Sequence, residues 1–228
     1  MGHRRRTVAL VVAGVLLLGC GALPDDRPES RPPSDSTTPQ SPASPTDEFA
    51  SDVSAAIATI EEYWTDRFKD DGLTFRPVRR VVPYHGNQGV RCGGDVIGPN
   101  NAAYCSDGDF IAFDQDWLRR YFRGIGDAFV YFALGHEYGH AVQARLRLRF
   151  QLAVEAEQNA DCLAGAYIGD SVREKRLILE EGDVEELQRG LVAVADPRDD
   201  WFAEDAHGSA EQRVAAFAKG YDGSVDAC

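Results

Sequence analysis

Ala128-Phe129-Val130-Tyr131-Phe132-Ala133-Leu134-Gly135-His136-Glu137-Tyr138-Gly139-His140-Ala141-Val142-Gln143-Ala144-Arg145-Leu146 carries a single acid, Glu137, in its whole length. Its first seven residues are apolar all round, the pattern of a helix buried on every side. Asp127 precedes the run as a candidate N-cap, which predicts a helix from Ala128 to about Leu146. An ionised carboxylate is costly to bury unless something pairs with it. The two imidazoles and the carboxylate at the centre of this helix therefore demand partners from elsewhere in the chain.

The elements on either side define the fold class. Upstream, Phe49, Val53, Ile57, Ile60 and Trp64 recur at steps of three and four, an amphipathic helix over 47–70 opened by Thr46 or Asp47. Leu73 to Tyr84 reads as a strand broken by Pro77 and Pro83, and residues 85–101 as a Gly/Asn loop. Ala102–Tyr104 and Phe110–Phe113 read as short strands joined at Ser106-Asp107-Gly108, and Asp114 caps a short helix through Phe122. Downstream, a helix is expected over about Leu152–Ile168. Asp183 with Glu186 and Ser209 with Gln212 have capping-box spacing, opening helices near 184–195 and 210–219. Five or six helices with a small antiparallel sheet make an α+β, mainly helical domain.

His136 and His140 stand one helical turn apart, so both rings can reach a single cation. Glu137 lies ~100° round the helix, beside rather than on such an ion, where a carboxylate can accept a proton from water. Zn2+ suits two neutral imidazoles plus a third ligand and water. The longer pattern HExxHxxGxxH fails, because Gln143 and Leu146 stand where its Gly and His belong. Glu155 and Glu157 on the following helix are then the candidate third ligands. Glu157 has Asp161 at i+4 on its own face, where Asp161 can accept from the far nitrogen of a ligand histidine. Glu155 points to the other side.

His136 to Gln143, Glu157-Gln158-Asn159-Ala160-Asp161-Cys162-Leu163-Ala164-Gly165, Tyr104-Cys105 with Asp109 to Asp114, Glu181 to Glu186, and His207 to Arg213 together resemble the neutral zinc metallopeptidase family of bacteria. The resemblance covers roughly residues 90–223, in order. It implies a zincin-like domain with a glutamate third ligand, as in thermolysin. It implies His136, His140 and Glu157 as zinc ligands, Glu137 as base and Asp161 behind His136. The family's Thr is Ser209 here, and Ala216 replaces an aromatic; both changes touch the His207 segment. His207 has two readings, a catalytic residue stabilising an oxyanion or a helix-entry residue before the Ser209 cap. Tyr104 and Tyr138 are further candidate donors, and His85 reads as a loop residue.

The rest of the chain speaks to location. Arg4, Arg5 and Arg6 precede an uncharged apolar run, Val8 to Gly19, too short for a bilayer span of ~20 residues but suited to a signal peptide. Leu17-Leu18-Gly19-Cys20 resembles the bacterial lipobox, in which the Cys is lipidated; the plainer reading is an ordinary signal peptide with a chance Cys. Residues 1–19 then form the signal peptide, 20–46 a lipidated Cys with a Pro/Ser/Thr tether, and 47–228 the folded domain. All 22 aromatics fall after residue 48 and seven of eleven prolines before it, as that division requires. The expected site of action is the extracytoplasmic face of the cell membrane, anchored through Cys20.

Of the remaining cysteines, Cys92 and Cys105 flank a Gly/Asn/Pro stretch that favours local closure, which leaves Cys162 for Cys228. Free buried thiols are the alternative. A net charge of −13 argues against nucleic acid as a partner. The acidic runs Glu180-Glu181 and Asp199-Asp200 read as solvated surface. The expected function is a zinc-dependent endopeptidase acting on peptide or protein substrates. Two others share these residues: a non-catalytic surface binding or assembly protein that keeps a metallohelix, and a zinc amidohydrolase of non-peptide substrates.

Overall fold

The computed structural model describes residues 45–197, 203 and 206–228. The signal-peptide run, Cys20, the tether through Ser44 and the Asp199-Asp200 pair lie outside the described residues. Within them the chain is mainly helical, with α1 (Pro45–Asp70), β1 (Arg80–Tyr84), β2 (Val90–Cys92), β3 (Asp95–Ile97), β4 (Ala102–Cys105) and β5 (Phe110–Asp114) followed by five more helices. These are α2 (Gln115–Gly124), α3 (Ala128–Leu146), α4 (Ala153–Arg173), α5 (Asp183–Ala193) and α6 (Ala210–Gly223). The α+β, mainly helical class holds.

Helix α3 is the axis of the molecule. From Ala128 to Gln143 all but Tyr131 and His140 are buried, against α1, α2, α4 and α5. The α1 residues Phe49, Ala56, Ile60 and Trp64 are buried in the same core cluster, with Phe49 against Phe122 of α2. Two expected caps are replaced by one tertiary contact. The Asp127 side chain makes no capping hydrogen bond; instead Glu186 Oε2, from α5, accepts the backbone N–H of Ala128 at 3.4 Å. The Asp183–Glu186 capping box is accordingly absent. Gly182, at φ 109°, is the N-cap of α5, and Asp183 Oδ2 accepts from Glu180 N at 2.7 Å.

The main sheet has the order β1-β5-β4. β4 and β5 form the expected antiparallel hairpin, with Cys105 opposite Phe110, but β1 joins β5 in parallel, so the sheet is mixed. β5 is buried at every residue, as befits a strand covered on both sides. Pro83 sits in β1, an edge strand, with its side chain exposed. Residues 85–101, expected to be loop, contain the β2–β3 hairpin turned at Gly93, whose φ is +56°. Three-residue strands are too short to show a period. What holds them is tertiary: Ile97 packs with Tyr84, Cys105 and Phe110, and the Cys92–Cys105 disulfide ties β2 to β4.

Of the three pairings open to the four cysteines, the second bond here is Cys162–Cys228, joining the middle of α4 to the tail that follows α6. Helix α4 runs to Arg173, past the expected end at Ile168, because its last turns lie against α6. The two backbones touch at glycines. A Cβ on Gly220 would fall 1.8 Å from Cys162 O, and one on Gly165 would fall 2.1 Å from Phe217 O. That close approach carries the first turn of α6 onto the polar face of α4.

Candidate metal centre and its cleft

On α3 the i,i+4 spacing brings His136 Nε2 and His140 Nε2 to 3.2 Å of one another. Glu157, on the first turns of α4, closes the triangle: Oε2 lies 3.1 Å from His136 Nε2 and Oε1 3.2 Å from His140 Nε2. Two imidazole nitrogens and a carboxylate, all within 4.8 Å, form the donor set that zinc takes with one position left for water. Glu155, the other candidate, faces away and accepts from Gln151 N and Leu152 N at the start of α4.

Each imidazole is oriented from behind. His136 Nδ1 donates to Asp161 Oδ1 at 2.8 Å. Asp161 is fully buried and in turn accepts from Arg213 Nε and Nη2, both at 2.8 Å. Arg213, also buried, donates its third bond to Val194 O at 2.8 Å. His140 Nδ1 lies 3.0 Å from Gln143 Oε1. Sequence reasoning missed Arg213, since its partner is 52 residues away. It missed Gln143 as an orienting group although the signal was present, for i and i+3 share a helix face.

The electrostatics follow from this packing. Burial disfavours the imidazolium at His136, but Asp161 and Glu157 outweigh it and lift its pKa to about 10. At His140 burial is likewise overcome by the hydrogen bond to Glu157, and the shift is upward. Burial raises the Glu157 carboxyl, yet the two histidines hold it well below the usual carboxylate range. Burial also raises Asp161, but Arg213 and His136 overcome it and the net shift is downward. A cation bound to such ligands competes with protons.

Glu137 is buried, and its Oε2 accepts the backbone N–H of Tyr104 at 2.8 Å. It and the metal triangle face a cleft of about 810 Å³. Residues of α3, β4 and the segment Ala193–Ala195 line it together with Arg213, and Trp117, Tyr121, Leu148 and Phe150 add apolar surface. His207 lines the same cleft, half-exposed, with its backbone N–H on Asp196 Oδ2 at 2.6 Å and its Nδ1 3.5 Å from Asp196 Oδ1. Tyr104 also lines it, although its hydroxyl donates to Asp109 Oδ1 at 3.0 Å. Tyr138 does not reach the cleft. It is fully buried and donates to Glu61 on α1 at 2.7 Å, because its position on α3 faces the core. His85 is an exposed loop residue against Asp116.

A second carboxylate group, Asp127, Asp183 and Glu186, also comes within 4.8 Å. It contains no imidazole, and Glu186 in it serves the N-terminus of α3.

The family model described as "Putative neutral zinc metallopeptidase" matches residues 8–228. No curated protein and no solved structure matches the chain.

Proposed function

The chain belongs to the neutral zinc metallopeptidase family, and from that premise we propose that it is a zinc-dependent endopeptidase, exported and held at the outer face of the cell membrane by an acylated Cys20. One observation carries the catalytic reading: the His136–His140–Glu157 triangle and the Glu137 carboxylate line one cleft together with the edge strand β4. His136, His140 and Glu157 would hold the metal. Zinc, when bound, supplies a Lewis acid that lowers the pKa of a water and polarises a carbonyl.

The protein's own residues supply the rest. Asn101 O accepts from Asp114 N, so alternate residues of β4 face β5; the backbone groups of Ala102 and the carbonyl of Tyr104 point away from β5, while the Tyr104 N–H is held by Glu137. An extended peptide pairs with that edge as an added strand. Glu137 accepts the proton of the attacking water and returns it to the leaving nitrogen. The N–H of Tyr104 keeps that carboxylate aimed along the edge. His207 lines the cleft with its ring beside Asp196, and in this reading it donates to the developing oxyanion.

The test is cleavage of a diverse peptide library by the zinc-loaded protein, with Glu137→Gln alongside. Gln keeps an acceptor for Tyr104 N and removes the base, so metal binding survives while turnover falls by about 10²–10⁴-fold. Equal product from both proteins would refute the role of Glu137. Silence from both, with metal bound, would favour a surface binding protein. Acyl modification of Cys20, read by mass spectrometry of the membrane fraction, tests the anchor.

A further inference from the structure

Hydrogen-bond direction around His140 can be deduced from atoms that have no choice. The backbone oxygen of Ala156 only accepts, so the group 2.7 Å from it on Gln143 is the NH2. That amide's second hydrogen goes to Asn159 Oδ1 at 3.0 Å. Asn159 is fixed in turn, since its Nδ2 donates to Cys228 O at 3.1 Å. Gln143 Oε1 is thereby left facing His140 Nδ1 at 3.0 Å. An amide oxygen only accepts, so His140 Nδ1 carries the hydrogen and the Nε2 lone pair points at Glu157 and His136. Gln143 is buried with both N–H donors and one lone pair of its oxygen used, three of its four hydrogen-bonding sites. The far end of the relay, Cys228, is bonded to Cys162 on the helix that carries Asn159.

We propose that Gln143 is a positioning residue that sets the metal-binding tautomer of His140, and that Asn159 and the Cys162–Cys228 disulfide hold Gln143 in that role, so that the C-terminal disulfide tunes the metal affinity of the site. The inference rests on His136, His140 and Glu157 being the metal ligands.

The experiment is zinc and cobalt affinity of the oxidised full chain, by competition with a chromogenic chelator. Gln143→Leu weakens binding about 10–100-fold, the range for groups behind a metal ligand. Asn159→Ala and the paired change Cys162→Ser with Cys228→Ser cost a few-fold each. Gln143→Glu, which still offers His140 an acceptor, stays closer to the parent than Gln143→Leu. The decisive readout is coupling: in the Gln143→Leu background, Asn159→Ala and loss of the disulfide no longer change affinity. A structural role alone would leave the effects additive. Parent-like affinity in folded Gln143→Leu or Asn159→Ala, or additive losses, overturns the proposal. A parent that binds no metal overturns the ligand assignment itself, and this inference with it.

Discussion

His136 and His140 are neighbours on one helix face, yet they are backed in opposite ways. Behind His136 stands a charged pair, Asp161 and Arg213, removed from water and drawn from two helices. Behind His140 stand two neutral amides that end on a backbone oxygen at the C-terminal disulfide. The first arrangement gives a stronger acceptor and a more basic imidazole, but neither ion can lose the other without leaving a buried charge unpaired. The second uses no charged side chain behind the imidazole and depends on geometry relayed through amides. The candidate metal site thus combines an electrostatic arm with a mechanical one.

The sharpest way to break the contrast is Asp161→Ala. It strands the Arg213 guanidinium, and unfolding in urea should show a loss of about 3–5 kcal/mol. Replacing both ions together, Asp161→Asn with Arg213→Met, should recover most of that stability while leaving His136 with a weaker acceptor. If the double change were as damaging as the single one, the charge argument would be wrong. On the other arm, Gln143→Leu removes no charge and should cost about 1–3 kcal/mol, chiefly from unsatisfied partners. A larger loss than that of Asp161→Ala would invert the comparison.

Asp170 sharpens it at the small end. It lies further along α4 and is held by Tyr63, Ser224 and Arg173 at 2.8, 2.5 and 2.6 Å. Burial raises its pKa, but Ser224, Arg173 and Tyr63 overcome that and the net shift is downward. A carboxyl lowered in the folded state contributes stability that is complete above its unfolded value of about 3.9 and disappears as pH falls through the folded value. Asp170→Asn should therefore flatten the stability profile below about pH 4. A profile unchanged by the substitution would show that the hydroxyl donors do not favour the charged form.

Much of this site was legible because helical geometry is local. Spacing of i,i+4 on α3 and again at Glu157 and Asp161 puts each pair on one face whatever the rest of the chain does. Ser209 and Gln212 form their capping box for the same reason. Where the readings failed, a distant group intervened. Asp127 was the right residue type for a cap, but Glu186 reaches Ala128 N from 58 residues further along the chain than Ala128. Tyr138 lies inside the motif, yet its face of α3 meets α1.

Periodicity, caps and motif spacing rest on contacts within a few residues, so the residues alone settled that α3 is a buried helix bearing two imidazoles and a carboxylate on its turns. They also settled an α+β class in which helices dominate. Which acceptor stands behind each imidazole, the parallel seating of β1 and the arrival of Arg213 at Asp161 were decided by packing. Those depend on how closely α4 and α6 approach through Gly165 and Gly220, and no local pattern encodes the distance between two helices.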